Sequence, residues 1–161
     1  MVRCGDDLGA QNGLQVSYDH YRRVIKPRHA RFFRRVRDLT PAQLMFHSCG
    51  SIVDILDDLV EIGVDIIHPV QVTARGMDPV ALKKKYAGKL VFWGGTDSQK
   101  TMPFGTVADI RKMVESLIET LGRGGGYVFS SCHNIQPDVS VEKVVAMFEH
   151  AREYVPSWNL R

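Results

Sequence analysis

A chain of 161 residues, 44% hydrophobic and 24% charged, has the make-up of a globular protein with one sizeable core, and residues 1–161 read as a single domain. A formal net charge of +3 is modest, and no apolar run approaches the ~18 residues of a membrane span, so neither nucleic acid nor a membrane is an expected partner. Three cysteines without regular spacing make no disulfide framework; they are expected to be free thiols, as in a reducing cytoplasm.

The first apolar run, residues 2–4, predicts a strand that ends on Asp6 and Asp7. Residues 17–38 are helical in pattern, and Pro27 is expected to kink or divide that helix. This segment holds most of the positive excess, in YRRVIKPRHARFFRRVRD. A solvated helix face is the expected reading of that run, with an anionic-ligand site as the other, because no stacking platform or nucleic-acid motif accompanies it. His20, His29 and His150 fall in helical segments and are expected at the surface.

A second strand over 44–47 leads into His47-Ser-Cys49. Ser51 then suits the N-cap of a helix that presents Ile52, Ile55, Leu56 and Leu59 on one face and stops near Gly63. A third strand over 65–68 ends on His68 and is followed by Gln71. Asp78-Pro79 opens a helix over 80–86, since proline suits the first helical position. The fourth strand, 90–93, is followed by Asp97 and Gln99. Thr106 caps a longer helix whose stripe is Ile110, Met113, Val114, Leu117, Ile118 and Leu121. Gly124 to Gly126 read as a turn before the fifth strand, 127–130, which runs into Cys132 and His133. Ser140 opens the last helix, with Val141, Val144, Val145 and Phe148 on one face.

Strand and helix alternating in this rhythm mean parallel strands with crossover helices. Polar and reactive groups follow every strand, as at the carboxyl ends of a (β/α) barrel, and no G-x-G-x-x-G follows the first strand. A complete barrel takes about 250 residues, so the expected fold is α/β, a partial (β/α)8 TIM barrel of about five strands. The start directly on a strand leans toward a truncated piece of a longer barrel, with the first and last strands as free edges that invite a homo-oligomer.

His47 and Cys49 carry the clearest chemistry. Two residues apart at a strand end, they aim an imidazole nitrogen and a sulfur at one point, as a zinc site requires, with Cys132 or His133 as the third ligand and one position left open. A small buried cysteine beside an unrelated histidine is the alternative. Asp6, Asp7 and Asp97 are candidates to hold ligands or orient His47, or else to cap strand ends and helix starts. His68, which precedes Pro69, is a weaker candidate that packing also explains. Gln71 and Gln99 are candidates to read polar substrate groups, or else solvated loop residues.

The succession DDLGAQ, HSCGSI, IIHPVQ, LVFWGGTDSQ and GGGYVFSSCHNIQPDVSVEKVVAMFEHAREY resembles the C-terminal half of the uroporphyrinogen decarboxylase superfamily, over nearly the whole chain. That resemblance implies a single (β/α) barrel and one of two activities. The first is a zinc-dependent methyltransferase that moves a methyl group from a corrinoid protein to a thiol. His47, Cys49 and Cys132 are then the metal ligands, Asp7, Asp97 and His133 catalytic groups, and His68 and Gln71 contacts to the bound small molecule. Counting back from Glu142 puts His133, rather than Cys132, at the family's ligand position, so the third ligand stays open between them. The second activity is decarboxylation of an acidic tetrapyrrole, with His133 at a substrate carboxylate. A half-barrel that serves only in assembly is the non-catalytic alternative, so this chain alone is not necessarily an enzyme.

Overall fold

A computed structural model describes residues 1–159. Five parallel strands, β1 (Val2–Gly5), β4 (Leu44–His47), β5 (Ile66–His68), β6 (Val91–Gly95) and β7 (Tyr127–Ser130), lie side by side in chain order. Each is a short apolar run, and each neighbouring pair is joined by a helical crossover, as parallel pairing demands. The sheet is a partial barrel whose edges, among the described residues, are β1 and β7. A small antiparallel hairpin, β2 (Gly9–Ala10) and β3 (Gly13–Leu14), follows β1. Two-residue strands carry no periodicity, so nothing in the pattern announced this hairpin.

The helices are α1 (Tyr18–His20), α2 (Lys26–Leu39), α3 (Leu56–Glu61), α4 (Pro79–Tyr86), α5 (Thr101–Phe104), α6 (Val107–Leu117) and α7 (Val141–Glu153). Pro27 does divide the first helical segment. It sits in the opening turn of α2, and the five residues before that helix, Tyr21–Ile25, are wound as a π-turn. Asp78 caps α4 through Ala81 N–H at 2.8 Å, and Thr106 caps α6 in a reciprocal box with Asp109.

Side chains alternate across the sheet. Phe46, Ile67 and Phe92 occupy matched positions on successive strands and face the main core, where Phe33, Leu56, Leu59, Leu82, Tyr86 and Leu121 cover them from the helices. The other face carries Arg3, Met45, Ile66 and Val91 in one row, with His47 and His68 one step further along. That face is the inner wall of the barrel. A second, smaller core under α6 and α7 joins Met102, Ile110, Val114 and Met147.

Three expectations are corrected. Ser51 caps no helix: its hydroxyl donates to the Arg75 carbonyl at 2.6 Å, and the chain enters α3 through a 3-10 turn at Val53–Ile55. Ser140 does precede α7, but Val141, Val145 and Phe148 are 78%, 45% and 46% exposed, while Ala146 and Met147 point inward. The helix turns its Met147 stripe, not its valine stripe, toward α6. His29 and His150 are partly buried rather than free at the surface: His29 stacks on Phe33 at 5.4 Å between ring centroids, and His150 reaches Glu115 at 2.8 Å.

The basic segment is not uniformly a solvated face. Lys26 is buried and donates to Asp58 at 2.5 Å and Glu61 at 2.7 Å, and Arg22 reaches the same Asp58 at 3.2 Å, locking α2 to α3. Removing one member of a buried ion pair strands the other charge, so Asp58→Ala is expected to cost about 3–5 kcal/mol in urea unfolding. Adding Lys26→Met to that variant should recover part of the loss. Equal stability of Asp58→Ala and the parent would contradict this account.

Candidate metal centre and substrate cavity

Parallel register brings the site together. Gly5, His47 and His68 are paired neighbours at the carboxyl ends of β1, β4 and β5. His47 and His68 meet through their Nδ1 atoms at 2.8 Å. The opposite nitrogen of His47, Nε2, lies 3.6 Å from Cys49 Sγ and 3.6 Å from Asp7 Oδ1. Asp7 Oδ1 also accepts the Cys49 backbone N–H at 3.0 Å. One donor atom from each of Asp7, His47 and Cys49 lies within 4.8 Å of the other two.

The loop that carries Cys49 is held by close backbone packing. Gly50 adopts φ +78° and its Cα side meets the backbone of Gly9 so tightly that an added Cβ would come within 2.5 Å of it. Only glycine fits at both positions. Around them, buried Ser48 accepts from Leu8 N–H at 3.0 Å, and Ser51 N–H donates to Ala10 O at 2.8 Å. The hairpin is thus the clamp that sets the His47-to-Cys49 turn.

This donor set fits a zinc ion. With bonds of about 2.0 Å to nitrogen and about 2.3 Å to sulfur at a tetrahedral angle, the two donors should stand about 3.5 Å apart, close to the 3.6 Å found. Binding through His47 Nε2 requires the ring proton on Nδ1, so His68 Nδ1 must be the acceptor of that bond. His68 is suited to stay neutral. Burial, then the charges of His47, Arg3 and His133, bring its pKa down to about 4. Burial also lowers the pKa of His47, against the pull of Asp7. The Cys49 thiol is pushed up by burial and by Asp7, so a cation is needed there to hold it as a thiolate.

The other candidates take different places. Cys132 is 3% exposed and lies outside the three-donor cluster. Its N–H donates to Thr96 Oγ1 at 2.9 Å, and burial followed by the charge of Cys49 pushes its thiol up to about 12. The strand has ended at Ser130, and Cys132 turns in while exposed His133 stands with its ring 6.4 Å from that of His47. Asp97 spends both carboxylate oxygens on the start of α5, accepting from Gln99, Lys100 and Thr101. Asp6 turns away from the cluster to His29 Nε2, 3.3 Å away. Gln71 accepts from Gly50 N–H at 2.8 Å and donates to Gln11 at 3.0 Å, and Gln99 donates to the same Gln11 oxygen at 3.3 Å. Gln11, at the tip of the hairpin, carries no sequence signal of its own, since it is one of two polar residues, with Asn12, between Gly9 and Gly13. A cavity of about 310 Å³ opens beside Cys49, with Cys132 and His133 in its wall.

The family model described as Uroporphyrinogen decarboxylase (URO-D) matches residues 3–154. The uroporphyrinogen decarboxylase of Legionella pneumophila (strain Corby) is 32% identical over 83 residues, 52% of this chain and 23% of that protein. That of Methylococcus capsulatus is 40% identical over 50 residues, 31% of this chain and 14% of that protein. A solved methyltransferase from Methanosarcina mazei superposes with a TM-score of 0.66 at 19% identity, over 94% of this chain and 41% of its own. The chain therefore spans well under half the length of the relatives it matches.

The depressed histidines have a measurable consequence. Unfolded histidines take up protons as the pH drops below about 6.5, whereas folded His68 resists until about 4. Stability is therefore complete above the unfolded value and is lost as the pH falls through that window. The urea midpoint of metal-free protein should decline from pH 6.5 to 4, and His68→Asn should flatten the decline. An unchanged pH profile in that variant would refute the assignment.

Proposed function

Because the chain belongs to the uroporphyrinogen decarboxylase family, we propose that its site is a zinc centre for methyl transfer from a corrinoid to a thiol. The convergence of Asp7, His47 and Cys49 on one point carries this reading. The fold neighbour that bears the name methyltransferase supports it. His47 Nε2, Cys49 Sγ and the Asp7 carboxylate hold the ion, and His68 keeps the His47 proton on Nδ1. Zinc, when bound, supplies the Lewis acidity that lowers the pKa of a coordinated substrate thiol. Cys132 is a reserve donor from the cavity wall, and His133 faces the open side. The methyl donor in this reading is a corrinoid on a partner protein, and the acceptor enters through the cavity beside Cys49.

Decarboxylation of a tetrapyrrole is the second reading, favoured by the names of the sequence relatives. It needs no zinc. Protein titrated with zinc should bind close to one equivalent, Cys49→Ser should abolish most of that binding, and Asp7→Asn should weaken it, because a hydroxyl and an amide are poor ligands for the ion. Cys132→Ala should retain it. Zinc content unaffected by Cys49→Ser would remove the metal centre and leave the decarboxylase reading.

The two free edges belong to the same proposal. Among the described residues, β1 and β7 each pair with one neighbouring strand and leave the other edge open, and Val141, Val145 and Phe148 lie exposed on α7, the helix that follows β7. A second copy pairing these edges would extend the sheet around the inner wall that carries His47 and His68. Sedimentation at micromolar concentration should show a dimer or larger species, and a compact monomer would exclude this assembly.

A further inference from the structure

A second cavity, of about 340 Å³, opens at the amino ends of the strands, the opposite end from the metal cluster. Its walls are the residues just before β5, β6 and β7 and the last turn of α4, so they are consecutive neighbours packed on one another within this chain. Three cationic side chains line it, Lys83, Lys89 and Arg123. The one carboxylate among the described residues of its wall is already engaged: Asp65 pairs with Arg37 and accepts Leu44 N–H at 2.6 Å.

Lys83 is half-buried, and burial lowers its pKa, as for a charge short of compensation. Its ammonium donates to Leu121 O and Gly125 O, both at 2.6 Å, which ties α4 to the turn before β7 and leaves one of its three donors over. Capping of the π-turn Ile118–Gly122 explains Lys83 by itself. It does not explain Lys89 and Arg123, which are exposed and form no ion pair among the described residues. The carboxylates that feel their charge, Asp57 and Glu119, are bonded elsewhere, to Lys85 and to Tyr154 and Ser157. Gly124, Gly125 and Gly126 complete the wall with φ of +74°, +82° and +74°, a run that only glycine holds without strain. A Cβ on Gly124 or Gly125 would meet nothing within 4 Å, so conformation and not space demands glycine there. Gly125 N–H is taken by Gly122 O at 2.8 Å, while those of Gly124 and Gly126 meet no acceptor among the described residues.

We infer that this cavity binds a phosphate group, free or carried by a small ester, between Lys83, Lys89, Arg123 and the backbone of the glycine turn. A turn that bares successive N–H groups is a concavity for an anion, and cations around it add charge to that geometry. A phosphate has at least three acceptor oxygens, enough to meet a guanidinium fork, an ammonium and an N–H together, where a carboxylate has two. The volume, above the roughly 300 Å³ at which ligand pockets begin, leaves room for a small organic remainder. The site is independent of the zinc reading, since it lies at the other end of the strands.

The test is an amide ¹H–¹⁵N titration of this chain near neutral pH with inorganic phosphate, glycerol phosphate and acetate, sodium chloride holding the ionic strength constant. Both phosphates should shift the Gly124, Gly125 and Gly126 signals saturably, and acetate should bind at least about tenfold more weakly. Tighter binding of glycerol phosphate identifies an ester as the occupant, and tighter binding of phosphate the free ion. Lys89→Gln and Arg123→Gln remove exposed cations outside the core, so each should raise the phosphate Kd about tenfold while the urea midpoint stays unchanged. Lys83 is left intact because it ties α4 to the turn. No saturable glycine shift, acetate binding as tight as that of phosphate, or a Kd unmoved by both variants would overturn the site. Shifts confined to the neighbourhood of His47 and Cys49 would overturn it as well.

Discussion

His47 and His68 occupy paired positions on adjacent parallel strands, and their 2.8 Å contact fixes what the rest of the site can do. A parallel ladder leaves no freedom in this matter. Once Met45 and Phe46 are paired with Ile66 and Ile67 by the burial of alternate faces, the next step of each strand delivers a histidine to the inner wall. A shift of one residue would turn His47 into the helical layer and Phe46 into the lumen, which the main core forbids. The same contact admits the tautomer that a metal at His47 Nε2 would require: with the proton on His47 Nδ1 and a neutral His68 accepting it, Nε2 is bare toward Cys49 and Asp7. Orientation of the candidate ligand is thus a by-product of core packing.

Electrostatics explains why the cluster asks for a cation. Asp7 sits where it raises the Cys49 thiol, so metal-free protein holds a neutral sulfur beside a carboxylate. Two anionic donors at this separation repel each other unless a positive charge lies between them. The half-buried imidazoles cannot supply that charge, since burial keeps them neutral near pH 7. A divalent ion reverses the balance at once, stabilising the thiolate and the carboxylate and using the bare nitrogen. The close backbone fit of Gly9 against Gly50 gives the turn the rigidity that such an ion would otherwise have to impose.

The strands, and with them the partial barrel, were legible in the sequence because each is a short apolar run closed by glycine or a polar cluster. The pairing of His47 with His68 was legible in principle: MFH and IIH end their strands alike, and sequential parallel strands place like ends together. What escaped was decided by tertiary contacts. Ser51 has the local signature of a cap, but the Arg75 carbonyl takes its hydroxyl. His29 sits in a run of arginines, yet Ile25, His29, Phe33 and Val36 recur at helical spacing, and that stripe faces Phe46. In α7 two apolar stripes compete, and the valines, the stronger by composition, lose to Met147 because α6 offers Ile110 and Val114 to it. Asp97 shows the opposite case: its helix-capping role was one of its two sequence readings, and its four short contacts to the α5 start leave no oxygen idle.

Cys132 links the cluster to the cavity. It feels the charge of Cys49, but its sulfur packs in the wall with the Val70 carbonyl at 4.0 Å and the Ser98 side chain nearby, and burial, which pushes its pKa up to about 12, keeps it a thiol. A buried neutral thiol is a small apolar surface. In this position it lines, together with Cys49, Met102 and Met147, the cavity beside the three-donor cluster. As a neutral thiol it stands outside the cluster of Asp7, His47 and Cys49, so in the zinc reading proposed above it becomes a donor only on losing its proton.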